Sequence, residues 1–384
     1  MQFTRLKLSN WRNFTSIDLP LGERLFITGP NASGKSNLLD AFRFLRDLAK
    51  SGGGLGQAVS DRGGIAKLRC LAARRNPDVS IEVELKEGAG DGTTVWCYGI
   101  GIKQQARGLR RVILTHEKVW KNGSLVLDRP DENDRRDELR LTETHLEQIS
   151  ANLTFRPLSE TFQKTLYLHL VPQLLKYPHL ANRDAAGEDP FGIKFLDRIM
   201  ETPEKTRRSR LKKIEKALQL AVPELKELCD VRDDKGIPHL EALYQHWRPN
   251  AGRQREDQFS DGTLRLIGLL WTLLDGDSLL LLEEPELSLH TSIVSKLPAL
   301  IWKLQRDKRR QVVVSSHSPE LFSDRGIAPE EVALLTPHGS EGTEVELASS
   351  KEKIRLLLDG GMSMAEAVLP MTAPKSVSQL ALFD

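Results

Sequence analysis

The sequence predicts an α/β fold with a mixed, partly parallel sheet, an antiparallel β subdomain and a helical insertion. Three observations predict it. Apolar runs at Leu25-Phe26-Ile27, Leu279 to Leu282 and Val312 to Val314 lack polar alternation, as strands covered on both faces do. Around Ile81 to Leu127 apolar and polar residues alternate, the pattern of antiparallel strands with one wet face. From about Glu138 to Glu227 the spacing turns helical and charged.

Taken in order, Gln2 to Leu19 reads as two short strands and Arg24 to Thr28 as a third, which runs into Gly29-Pro30-Asn31-Ala32-Ser33-Gly34-Lys35-Ser36-Asn37. A helix follows at once, because Leu38, Leu39, Phe42, Leu45 and Leu48 recur at three- and four-residue spacing from Ser36 to Ala49. Gly52, Gly53, Gly54 and Gly56 end it in what reads as a flexible loop. Ile81, Val83 and Leu85 alternate with Glu82, Glu84 and Lys86, and Thr94 to Lys103 and Arg111 to Trp120 continue the alternation. Asn122-Gly123 then turns the chain into Ser124 to Leu127. Lys205, Arg207, Arg208, Arg210, Lys212 and Lys213 crowd before Ile214 to Leu228, either as a solvated helix face or as a local nucleic-acid contact. Leu264 to Leu274 reads as a helix, and the tail after Met371 as loose. The expected division is an N-terminal lobe over 1–135, a mainly helical insertion over 136–250 and a C-terminal lobe over 251–384.

At 384 residues the chain exceeds one ordinary domain of roughly 100–200 residues. With 39% hydrophobic and 28% charged residues, and no window near 18 uninterrupted apolar positions, membrane spans and wholesale disorder are excluded. A formal net charge of +2 selects neither nucleic acid, nor membrane, nor acidic substrates, so any basic surface must be local. Cys70, Cys97 and Cys229 form no CxxC pair, which removes a zinc ribbon and a disulfide framework. The opening MQFTRLKLSNW alternates apolar and polar residues, unlike a secretory signal, so a reducing cytoplasmic location is expected.

Gly29 to Ser36 matches GxxxxGK[ST] between a buried strand and a helix, the setting in which backbone N–H groups and the positive helix end face phosphates. Lys35 is then placed to reach the β and γ phosphates, and Ser36 to put its hydroxyl on Mg²⁺. Leu279 to Leu282 ends in Glu283-Glu284-Pro285-Glu286. Carboxylates at the end of a buried strand can hold Mg²⁺ and orient an attacking water, although the same residues suit a helix start. Val312 to Val314 ends in Ser315-Ser316-His317, and an imidazole there can bond a γ-phosphate oxygen. Phe259-Ser260-Asp261-Gly262-Thr263 precedes an apolar helix, as a second anion-binding element or a plain cap by Ser260 or Asp261. No HNH or HxxxH cluster or further carboxylate pair points to a second active site.

In this order GPNASGKSN, FSDGT, LLLLEEPELSLH and VVVSSHSPEL resemble the ATPase heads of the ABC superfamily, in particular the RecF, SMC and OLD-type branch, and LSNWRNF at the start resembles that branch too. The likeness covers roughly 1–120 and 255–345. It implies a P-loop NTPase of ABC-head type using ATP and Mg²⁺, with Gly29 to Asn37 on the phosphates, Glu283 on the metal, Glu284 as catalytic base and His317 as switch histidine. It further implies that Ser260 and Gly262 contact the γ-phosphate held by another subunit, so that a head-to-tail dimer sandwiches ATP, with Leu287 to His290 crossing the interface. Two departures stand out: Glu283 replaces the family's usual Asp, and Ser-Asp-Gly-Thr replaces Ser-Gly-Gly-Gln. No glutamine-loop residue is evident, Gln57 being in the right half only.

About 145 residues separate the two halves of the head, too few for long SMC arms, and 67 residues follow His317, too few for a fused TOPRIM nuclease. The chain therefore looks like a stand-alone ATPase of a bacterial defence-type module that acts with a separately encoded effector, a nuclease or toxin. A RecF-like ATPase that binds DNA directly is the alternative. A transporter subunit, which needs a membrane partner, fits less well.

Overall fold

The computed structural model describes residues 1–50, 53–73, 78–88, 93–106, 108–177, 189, 191–245 and 252–372. The strands are β1 (Gln2–Trp11), β2 (Phe14–Pro20), β3 (Arg24–Thr28), β4 (Val79–Glu87), β5 (Thr94–Gln104), β6 (Val112–Lys121) and β7 (Ser124–Arg129), then β8 (Leu166–Leu168), β9 (Leu225–Arg232), β10 (Pro238–Tyr244) and β11 (Arg253–Arg255). The last four are β12 (Leu280–Glu283), β13 (Val312–Ser315), β14 (Val332–Pro337) and β15 (Thr343–Leu347). They make three sheets among the described residues: an antiparallel one in the order β2-β1-β4-β5-β6-β7, a mixed one in the order β15-β14-β3-β13-β12-β8, and a small antiparallel one of β11-β10-β9.

The mixed sheet separates two cores, and side-chain alternation along each strand assigns residues to one or the other. Leu25, Ile27, Leu281, Val313, Ala333 and Leu335 face the helix Lys35–Ala49 and the antiparallel sheet. Phe26, Leu280, Leu282, Val312, Val314, Val332 and Leu334 face the other way, toward the helix Asp261–Leu274 and the insertion. Burial on both faces is why β3, β12 and β13 read as unbroken apolar runs. The five strands β14, β3, β13, β12 and β8 run parallel, so their carboxyl ends lie along one edge.

The span 136–250 holds the helices Arg156–Gln163, Pro172–Lys176, Phe195–Glu201 and Glu204–Leu218, but it also contributes β8 to the main sheet and β9 and β10 to a sheet of its own. The strand β9 resembles a helix in sequence for a local reason. Glu227 sits at a φ of 52°, which puts the buried Leu225 and Leu228 three residues apart where a regular strand would space them by two. The boundary near 250 and the tail from 373 lie outside the described residues, as does Gly52. The glycine run expected to be a loop instead opens the helix Gly54–Ser60, anchored by the buried Leu55, Ala58 and Val59.

Candidate nucleotide site

The loop 29–36 leaves the carboxyl end of β3 and opens the helix Lys35–Ala49, as the motif requires. Gly34 stands at a φ of 100°, and a Cβ there would come within 2.3 Å of the Asn13 amide. That amide is a brace: its Nδ2 donates to the Ser33 carbonyl at 2.7 Å and to Thr343 Oγ1 at 2.8 Å, and its Oδ1 accepts from Asn37 Nδ2 at 2.8 Å. Lys35 Nζ donates to the Gly29 and Pro30 carbonyls at 3.0 and 3.2 Å. Burial lowers its pKa, while the carboxylates of Glu284, Glu283 and Glu286 oppose that shift.

Glu283, the last residue of β12, is gripped from two sides. Its Oε1 accepts from Ser36 Oγ and its Oε2 from the Tyr167 hydroxyl. His169 Nδ1 lies 3.2 Å from its carbonyl oxygen, and a carbonyl only accepts, so that nitrogen carries the proton. Glu284 follows at a φ of 44°, its N–H donating to the Ser315 carbonyl at 2.9 Å. Its Oε1 lies 3.2 Å from Nδ1 of His317, just beyond the end of β13. Glu286 is buried, accepts from Ser316 Oγ at 2.5 Å, and has its pKa raised by burial.

Lys35, Ser36, Glu283, Glu284 and His317 therefore converge where β3, β12 and β13 end. Ser260 and Gly262 do not join them. The Ser260 hydroxyl caps the helix Asp261–Leu274 by accepting from the Thr263 N–H at 3.1 Å, and Asp261 accepts from Lys176 Nζ at 2.7 Å. Gly262 packs on the Ser288 main chain, where a Cβ would come within 2.6 Å of the carbonyl oxygen. The signature segment thus contacts the residues just after the acids, and Ser260 is exposed.

The residues fit the groups that the motif implies. Ser33 Oγ and Thr28 Oγ1 are buried without a hydrogen-bond partner beside the loop. Ser36 and Glu283 together present hydroxyl and carboxylate oxygens, the donor set that suits Mg²⁺ when phosphates and water complete its shell. Next to the loop lies a groove of about 480 Å³ whose lining includes Arg12, Asn13, Ala32, Pro337 and Thr343, within the ordinary size range of ligand pockets.

Sequence reasoning missed Tyr167 and His169, which reach Glu283 from a three-residue strand and the residue after it, inside a region read as helical. Gln57 is on the exposed face of the helix Gly54–Ser60 and donates to Asp61 at 2.5 Å, so it is no part of the site. Two residues of the basic run on the helix Glu204–Leu218 are committed internally, since Arg207 pairs with Asp230 at 2.8 Å and Arg210 with Asp275 at 2.8 Å over the Trp271 ring, while Lys205, Arg208, Lys212 and Lys213 are exposed. No helix among the described residues is long and apolar enough to cross a membrane.

The chain is similar to known proteins in sequence and in fold. Residues 3–45 match the model of the P-loop containing region of AAA domains, and residues 25–324 match the model described as "AAA domain, putative AbiEii toxin, Type IV TA system". The DNA replication and repair protein RecF of Brucella suis biovar 1 is 36% identical over 104 residues, 25% of this chain and 26% of that protein. RecF of Brucella abortus (strain 2308) is 47% identical over 58 residues, 15% of this chain and 14% of that protein. The matches thus span about a quarter or less of the curated relatives. Among solved structures, an Smc head bound to the C-winged helix domain of ScpA aligns with a TM-score of 0.53 at 13% identity, covering 90% of this chain and 98% of that one. An Smc head with an extended coiled coil from Pyrococcus furiosus aligns at 0.52 and 12%, covering 94% and 100%. With more than half its length matched by one family model, the chain belongs to the AAA family so described, and its fold is that of the Smc heads.

Proposed function

We propose that the protein binds and hydrolyses ATP with Mg²⁺, closes as a head-to-tail dimer around two nucleotides, and through that closure controls a separately encoded effector in a bacterial antiphage defence-type module. The observation that carries this reading is the meeting of Lys35, the Ser36–Glu283 pair and the Glu284–His317 pair at the ends of three adjacent parallel strands. Lys35 leaves its loop carbonyls for the β and γ phosphates, and the groove lined by Arg12 and Thr343 takes the nucleoside. A magnesium ion held by Ser36 and Glu283 supplies charge neutralisation at the phosphates. Glu284 accepts a proton from the attacking water, and the His317 N–H, donating to its carboxylate, keeps that acceptor aimed.

Ser260 and Gly262, which cap the helix Asp261–Leu274 and pack on Ser288, complete the site of a second copy, so that closure depends on the γ-phosphate. Support for a defence-type role comes from the family's description, "putative AbiEii toxin, Type IV TA system". The RecF-like reading, with DNA bound directly, is favoured by the RecF matches, but the internal pairing of Arg207 and Arg210 removes two of its candidate contacts.

The test is the solution mass of Glu284→Gln by light scattering, with and without ATP and Mg²⁺. Doubling that needs ATP and vanishes when Ser260 is also changed to Arg supports the sandwich. A mass indifferent to ATP overturns it.

A further inference from the structure

We propose that Tyr167 is a positioning residue for the metal-side carboxylate. Its hydroxyl occupies one oxygen of Glu283 so that the other is presented to Ser36 and the metal, and it thereby sets how tightly Mg²⁺ joins the bound nucleotide. This rests on the reading of the Ser36–Glu283 pair as the magnesium site.

The placement follows from sheet register. The strand β8 lies parallel to β12 with Tyr167 opposite Leu281, and both side chains fall on the face covered by the helix Lys35–Ala49. Ser36 and Arg43 lie seven residues apart on that helix, two turns along the same face. The Arg43 guanidinium stacks over the Tyr167 ring at 4.2 Å from its centroid, and Ser36 reaches the same carboxylate that the Tyr167 hydroxyl reaches. Tyr167 is only 7% exposed, so ring and hydroxyl are both held. His169, the residue after that strand, fixes the main chain of Glu283.

A glutamate has one more torsion than an aspartate, and every carboxylate orientation that misses the metal weakens binding. Mg²⁺ demands near-ideal octahedral geometry at short distances and tolerates misplacement poorly. A donor on the far oxygen removes that freedom, as partners behind metal ligands generally do, and the loss of such a partner typically costs 10–100-fold in metal affinity.

The test uses the full chain and a fluorescent ATP analogue, titrated with Mg²⁺ in the Tyr167→Phe, Glu283→Ala and Glu283→Asp proteins. Tyr167→Phe keeps the ring under Arg43, so melting and metal-free nucleotide binding stay near wild type. The Mg²⁺ concentration for half-maximal tightening of the analogue rises by roughly tenfold or more. In the Glu283→Asp background, where the shorter acid falls short of the hydroxyl, Tyr167→Phe adds little. An unchanged Mg²⁺ midpoint in Tyr167→Phe overturns the proposal while leaving the metal site standing. If Glu283→Ala keeps the wild-type Mg²⁺ response, the metal-site reading itself falls, and the role of Tyr167 with it.

Discussion

Nδ1 of His317 stands 3.2 Å from Oε1 of Glu284, and the glutamate that it meets holds a φ of 44°. A left-handed backbone on a residue with a Cβ costs on the order of 1–3 kcal/mol, so this turn persists because its surroundings hold it, here through the Glu284 N–H on the Ser315 carbonyl. The strained turn aims the carboxylate out of the sheet edge toward the loop. Replacing Glu284 by Gln keeps the shape and removes the proton acceptor. The expected result is a fall in kcat of roughly 10²–10⁴-fold with ATP affinity retained, read by phosphate release and by equilibrium binding. Turnover within a few-fold of wild type would remove Glu284 from the chemistry.

Gly34 and Asn13 test the loop's shape. In Gly34→Ala the new methyl meets the Asn13 amide at 2.3 Å and the backbone stays at a φ of 100°. Nucleotide binding should weaken by at least about tenfold, with a lower melting temperature. Adding Asn13→Ala removes the clash but not the backbone strain, so the double variant should regain part of the melting temperature. A neutral Gly34→Ala would show that the loop does not need this conformation.

Gly262 separates closure from binding. Its missing side chain lets the Ser260 segment sit on the Ser288 carbonyl, where a Cβ would stand at 2.6 Å. Gly262→Ala should therefore displace the signature from the residues after the acids. Each monomer should still bind ATP, while the ATP-dependent mass doubling of the Glu284→Gln background is lost. Loss of ATP binding by the monomer instead would place Gly262 in the chain's own site.

The parts of this site that were legible from sequence were those whose chemistry is written contiguously. The strand β3 with its loop, and the strands β12 and β13 with their terminal acids and imidazole, each pair an unbroken apolar run with polar residues at its end, because both faces are buried and only the end is open. Tyr167 and His169 escaped because a strand of three residues has no period to detect, and its partner lies more than a hundred residues away at Glu283. The same limit applied to β9, where the turn at Glu227 gave the apolar residues a helical spacing. Charge alone did not reveal the pairing of Arg207 and Arg210, whose partners Asp230 and Asp275 are distant in sequence.

Arg129 holds the antiparallel sheet to the segment that follows it. It is 1% exposed and bonds Glu117 and Asp134, each at 2.9 Å, together with the Glu143 and Arg140 carbonyls at 2.9 and 2.8 Å. Arg129→Met leaves the buried Glu117 without its cation and the buried Asp134 with only Arg140, at 3.1 Å. The expected destabilisation is about 3–5 kcal/mol by denaturant unfolding. A loss under about 1 kcal/mol would mean that water enters and solvates the acids.

His145 lies against this network, its main-chain N–H donating to Glu117 Oε2 at 2.8 Å, and its imidazole is pushed down from 6.5 to about 4, first by burial and then by the charge of Arg129. The folded protein therefore keeps the ring neutral at pH values where the unfolded chain protonates it. Between 6.5 and about 4 the unfolded state binds more protons, so the ring's contribution to stability is intact above 6.5 and is lost as pH falls toward 4. Glu117 has its pKa raised by burial and acts in the opposite sense, so the comparison must isolate the imidazole. His145→Gln does so: its melting temperature should fall less on acidification than that of the wild type, and the two curves should diverge below about pH 6.5. Parallel curves across that window would show that the imidazole is solvated in the folded protein and that the network closes without it.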